Sequence, residues 1–139
     1  MKLFLDSSVV LAACGCSTGA SRAVFDRSEA QRWTLQTSAY VGMEVGANIR
    51  KLSSTASIAW LSVQGKLHEV QDVVSYKWPT ILMPAKDRPI LFTAAAWSEV
   101  LLTLDRRDFA ELLGGSFYGL PILTPAEFLE TERSAGRLR

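Results

Sequence analysis

Two short apolar runs in this chain each stop at an aspartate. Lys2-Leu-Phe-Leu5 runs into Asp6, and Val100 to Thr103 runs into Leu104-Asp105. Runs this short, bounded by polar residues, read as buried strands rather than helices. A third apolar run, Leu120 to Leu123, and a shorter candidate, Trp33 to Thr37, extend the pattern.

Helical patterns separate these strands. From Ser38 to Leu52, the residues Val41, Val45, Ile49 and Leu52 fall on one helical face, with Tyr40, Glu44 and Asn48 in a row beside it. Helices are also expected at Val9 to Ala13 and from Arg22 to about Arg32, the latter capped by Ser21. A further one is capped by Ser54 or Thr55 and carries Ile58, Leu61 and Leu67. Asp87-Arg-Pro89 opens another, running to Trp97, because proline suits the first turn. Arg106 to Leu113 reads as a short helix stopped by Gly114-Gly115, and Thr124-Pro125 starts the last. From His68 to Ala85 the pattern is ambiguous: Val70, Val73 and Val74 suit a strand or a short helix.

Strands alternating with helices predict an α/β fold, a three-layer α/β/α arrangement with a mainly parallel central sheet. At 139 residues, with 48% hydrophobic and 21% charged, the chain suits one domain over residues 1–139. A flexible polar tail is expected from about residue 130. No apolar run approaches the roughly 20 residues of a membrane span. Asp6 interrupts the N-terminal apolar stretch where a secretory signal would not tolerate it, so a cytoplasmic protein with no membrane partner is expected. Cys14 and Cys16 are too close for an unstrained disulfide and read as free thiols. His68, the only histidine, has no motif partner, which disfavours histidine-based nucleophilic catalysis.

The chemistry therefore rests on carboxylates. Asp6 and Asp105 end strands, and ligands of open parallel sheets bind at those ends. Glu44 lies one turn from Asn48 on its helix, and Asp87 opens the Pro89 helix. Four gathered carboxylates repel one another unless a cation neutralises them, and all-oxygen ligands favour Mg²⁺ or Mn²⁺. Taken singly, each aspartate is equally a helix cap, and Asp108 gives Asp105 a capping-box-like partner. Both roles are compatible.

The ordered set of motifs resembles the PIN-domain ribonucleases, the domain of the VapC toxins of toxin–antitoxin pairs. The resemblance is carried by Phe4-Leu-Asp6-Ser7, by Ser38-Ala-Tyr-Val-Gly-Met-Glu44, and by Asp87-Arg-Pro-Ile-Leu91 with Ala94-Ala-Ala96. Thr103-Leu-Asp105 with Asp108-Phe109, and Gly119-Leu-Pro-Ile-Leu-Thr-Pro125, complete it. Residues from about 55 to 85 carry no marker of the family. The resemblance implies a metal-dependent endoribonuclease, the toxin of a toxin–antitoxin module, with Asp6, Glu44, Asp87 and Asp105 holding one or two cations. Ser7, Thr103, Asn48 and Asp108 would assist them. It also implies an RNA substrate, an antitoxin partner and a homodimer. A catalytically inactive PIN-like module that binds RNA or protein is the alternative.

The net charge of +1 does not announce RNA. Local cations do: Arg88, Arg106 and Arg107 follow ligand candidates directly and are placed to contact phosphates. Among the tryptophans, Trp60 and Trp97 read as core and Trp78 as the best base-stacking candidate. The helices from Arg22 and Thr55 are the candidate apolar surfaces for a protein partner. Two other phosphoryl or nucleotide folds fit worse. A haloacid-dehalogenase phosphatase needs an Asp at position 8, which is Ser, and a dinucleotide binder needs a glycine-rich turn where Ser7-Ser-Val-Val stands.

Overall fold

The computed structural model describes residues 1–73 and 88–138. Six strands form one mixed sheet: β1 (Lys2–Leu5), β2 (Thr34–Ser38), β3 (Leu67–Val70), β4 (Val100–Leu102), β5 (Ser116–Phe117) and β6 (Leu120–Leu123). Their order is β3-β2-β1-β4-β6-β5. All neighbours are parallel except β5 against β6. The helices are α1 (Ser7–Gly15), α2 (Ala20–Gln31), α3 (Ala39–Asn48), α4 (Ser54–Gln64), α5 (Arg88–Trp97) and α6 (Pro125–Ser134).

Leu3, Phe4 and Leu5 are consecutive and all fully buried, as is the run Leu101, Leu102 and Thr103. Successive strand residues point to opposite faces, so this burial requires cover on both faces. α1 packs on α2, α3 and α4, α6 packs on α2, and α5 packs on β1 and β4. The expected three-layer α/β/α architecture with a mainly parallel sheet is what the chain adopts.

Several local expectations are corrected. Residues 106–113 form a series of turns rather than a helix. Their backbone bonds are scattered, Phe109 N to Asp105 O and Leu113 N to Phe109 O, so no ladder propagates. Ser21 does not cap α2, which starts one residue earlier behind Gly19, without a side-chain cap. Ser53, rather than Ser54 or Thr55, caps α4. Leu67 belongs to β3, not to the preceding helix. α3 stops at Asn48 and a 3₁₀ turn, Ile49–Lys51, follows. Val41, Val45 and Ile49 are buried, whereas Leu52 is exposed.

Ile58 and Leu61 point outward at 70% and 73% exposure, in keeping with the apolar surface expected of this helix, while Ala56 and Val63 face the core. Trp97, expected in the core, is half exposed and donates its indole N–H to Gln71 O. The C-terminal segment is not a loose polar tail. α6 continues to Ser134, and Arg137 forks onto the buried Glu132 at 2.7 and 3.1 Å. Cys14 and Cys16 are free, the first buried and the second exposed. No single described helix is long and apolar enough to cross a membrane.

Candidate active site

From β1 the chain steps outward to β2 and β3, and β4 then returns to the other side of β1. The direction of winding reverses between β1 and β4. A crevice opens at the carboxyl ends of strands where the winding reverses, because the connecting segments diverge there. Asp6 follows β1 and Asp105 follows β4, so both acids come to this crevice.

Asp6 is 3% exposed and caps α1. Its Oδ1 accepts the Ser7 N–H at 2.7 Å and the Ser7 hydroxyl at 3.4 Å. Its Oδ2 accepts the Ser8 hydroxyl at 3.0 Å and the Thr103 hydroxyl at 2.7 Å. Two of these donors reach onward. Thr103 Oγ1 accepts the Asp105 N–H at 3.0 Å, and Ser8 Oγ accepts the Leu104 N–H at 3.0 Å. The strand ends are thus laced together through hydroxyls. Burial pushes the Asp6 carboxyl above its ordinary range, the hydrogen bonds from Thr103, Ser8 and Ser7 oppose that rise, and the Asp105 charge adds to it.

Asp105 is half-buried, and its Oδ1 accepts the Asp108 N–H at 2.9 Å. The capping and site roles therefore coincide on the same side chain. Glu44 is half-buried on α3, with its Oε1 shielded from solvent. Asn48 is turned away from the expected auxiliary role: its amide donates to Glu44 O at 2.7 Å and its oxygen accepts from Lys51. An Asn in the last turn of a helix meets its own preceding turn more readily than a distant site. Asp87 lies outside the described residues, as do Lys86, Trp78 and the side chain of Arg88. Arg106 and Arg107 are exposed beside the crevice, and Arg106 lies close enough to Glu127 for its charge to lower that carboxyl's pKa.

Among the described residues no three acidic, cysteine or histidine side chains converge on a metal-sized point. The structure joins Asp6, Ser7, Thr103, Asp105 and Asp108. Sequence reasoning missed Ser8, although a hydroxyl two residues after a strand-end acid is a common partner for it. It also passed over Asp72, which follows β3 on the same edge and accepts the Tyr40 N–H at 3.1 Å at the start of α3. The rule that singled out Asp6, an acid just past an apolar run, does not reach Asp72, because β3 reads Leu-His-Glu-Val with its two middle residues exposed.

No protein-family model matches the chain, and no curated protein matches it. A solved structure does. It is the crystal structure of VapBC2 from Rickettsia felis bound to a DNA fragment from their promoter. The two superpose with a TM-score of 0.61 at 14% identity, over 88% of this chain and 97% of that one. The fold is PIN-like. At that identity the likeness speaks for architecture, and the chemistry has to be argued from this chain's own side chains.

Proposed function

We propose that this PIN-like protein is a metal-dependent endoribonuclease acting as the toxin of a toxin–antitoxin module in the cytoplasm. One observation carries the reading. Asp6 and Asp105 meet at the point where strand winding reverses, linked through the Thr103 hydroxyl, which donates to one and accepts from the backbone N–H of the other.

The donor set fits a hard divalent cation. Every polar group at the crevice offers oxygen, and a cation offsets the burial and mutual repulsion that raise the Asp6 pKa. Asp6 and Asp105 would hold Mg²⁺ or Mn²⁺, with Glu44 and Asp87 as the further carboxylates. Such an ion supplies Lewis-acid stabilisation of phosphate charge and makes water acidic enough to attack near neutral pH. Thr103, Ser7 and Ser8 fix the Asp6 rotamer. Asp108 anchors Asp105 through its backbone N–H. Arg88, Arg106 and Arg107 hold the RNA backbone beside the acids. The similarity to a VapBC2 complex supports an antitoxin as partner. Met43, Ile58 and Leu61, more than two-thirds exposed, and an α4 with no charged residue supply an apolar surface for that partner or for a homodimer.

A non-catalytic module binding RNA or protein has one observation in its favour: both Asp6 oxygens are already satisfied by protein donors. One experiment separates the two readings. Labelled RNA is incubated with the protein in Mg²⁺, in Mn²⁺ and in EDTA, beside Asp6→Asn. Cleavage that needs the cation and disappears in the variant supports the enzyme; RNA binding without cleavage supports the module. Growth arrest on expression, relieved by the variant and by a small protein encoded alongside, supports the toxin role.

A further inference from the structure

At the carboxyl ends of β2 and β3, a cavity of about 250 Å³ opens between these strands, α3 and α4. Thr37, Ser38, Gly42, Trp60, Gln64 and Glu69 line it among the described residues. Its volume is below the roughly 300–1,000 Å³ of pockets that take drug-sized ligands, which leaves room for one flat ring system.

The register places it. Phe4 of β1 pairs with Gln36, and Thr37 and Ser38 of β2 pair in turn with Glu69 and Val70 of β3, so the cavity lies at the carboxyl ends of the two strands next to β1. Its lining on β2 and β3 is one to two strand spacings, roughly 5–10 Å, across the sheet from β1.

Its chemistry is that of a base site. Trp60 is half-buried and presents an indole surface on which a base can stack. Glu69 has only acceptor oxygens, and Gln64 has both a donor and an acceptor. Neither side chain has a hydrogen-bond or ion-pair partner among the described residues. Of the four RNA bases, guanine alone shows two adjacent donors, N1–H and N2–H₂, on its Watson–Crick edge, with the O6 acceptor beside them. A carboxylate accepts both donors and an amide N–H₂ meets O6. Adenine, cytosine and uracil each set a lone pair against the carboxylate.

Gly42 keeps the space open. A Cβ built there meets nothing within 4 Å, so a side chain at this position would project into unfilled volume.

We propose that this cavity is a guanine-binding subsite that takes a base of the RNA strand lying next to the cleaved phosphate. The choice of RNA as the base's carrier rests on the ribonuclease reading; the recognition of guanine does not.

The test begins with binding alone, measured by calorimetry on the full chain with 5′-GMP, 5′-AMP, 5′-CMP, 5′-UMP and 5′-IMP. GMP is expected to bind at least tenfold tighter than the other three standard nucleotides. IMP, which lacks the 2-amino group, is expected between them. Gly42→Leu should abolish GMP binding while melting no earlier than the parent, since replacing a helical glycine favours the helix. Glu69→Gln should remove the preference for GMP over AMP.

Short RNAs with a single guanosine, incubated with Mg²⁺, then distinguish the source of the base. Cuts at a fixed distance from the guanosine support RNA as the carrier. Selective GMP binding with cuts unrelated to guanosine assigns the site to free nucleotide and overturns the RNA placement. Equal binding of all the nucleotides, or GMP binding unchanged in a folded Gly42→Leu, overturns the guanine site. Metal-dependent cleavage persisting in that case leaves the ribonuclease reading standing. Selective GMP binding without any cleavage does the reverse.

Discussion

Asp6 is held by donors on two strands' ends, and its neighbours decide what it can do. A buried carboxyl raised above its unfolded pKa is stabilised in its protonated form. In the cation-free protein its contribution to stability is therefore greatest at acid pH and is lost as pH rises through the raised pKa. Asp6→Asn removes that loss. In EDTA near pH 7 it should raise the melting temperature. The same variant should gain nothing from added Mg²⁺, whereas the parent should be stabilised by mass action. A variant that melts below the parent in EDTA would show that the four donors outweigh burial.

Thr103→Val keeps the shape but takes a donor from Asp6 and an acceptor from the Asp105 N–H. Groups that orient a metal ligand typically contribute about 10–100-fold to activity or metal affinity, and a drop of that size is expected here. Steady-state rates across a Mg²⁺ titration measure it. At this scale the sequence was informative about the acids, because strand ends and hydroxyl neighbours are local. It was silent about Ser8 and pointed Asn48 toward the acids, whereas the bonds of both depend on rotamers and on which partner lies nearest.

Among the elements, α6 shows a signal written fully in the sequence. Thr124 accepts the Glu127 N–H at 3.2 Å, and Glu127 accepts the Thr124 N–H at 2.8 Å. The Thr124 N–H and hydroxyl, both donating to the Glu127 carboxylate, hold it below its ordinary range, so the stability they confer is present at neutral pH and lost as pH falls through that lowered pKa. Thr124→Ala should cost about 1 kcal/mol by urea unfolding.

α4 shows the opposite case. Ile58 and Leu61 are apolar yet exposed, so hydrophobicity alone does not say which face of α4 meets the core. Ile58→Ser with Leu61→Ser should leave monomer stability within about 0.5 kcal/mol and reduce any self-association seen by light scattering. Undiminished association would move the interface elsewhere. The turns over residues 106–113 were also illegible. Asp105, Asp108 and Gly114 look like helix signals, but the strand ends pull the segment into successive single turns. Reversing Arg106 and Arg107 to Glu on this segment should weaken RNA binding. It should also flatten the salt dependence, by roughly 0.7 in log–log slope for each phosphate that is no longer neutralised.

For the whole molecule, the decisive fact is the sheet order. Apolar runs announced parallel strands, but nothing local says that β4 returns beside β1. That return is a long-range packing outcome, and it brings residues 6 and 105 together. Both central strands are buried on both faces, so the scaffold beneath the site is its most solid part. Phe4→Ala should cost about 3–5 kcal/mol.

The ribonuclease reading depends on the Asp6–Asp105 crevice performing cation-dependent RNA cleavage. Single-turnover cleavage of labelled RNA by the parent and by Asp6→Asn, with Mg²⁺ and with EDTA, puts that to trial. The parent should cleave in Mg²⁺ alone, with the variant slower by about a hundredfold or more. Cleavage that persists in EDTA, or equal rates for parent and variant in Mg²⁺, would refute it.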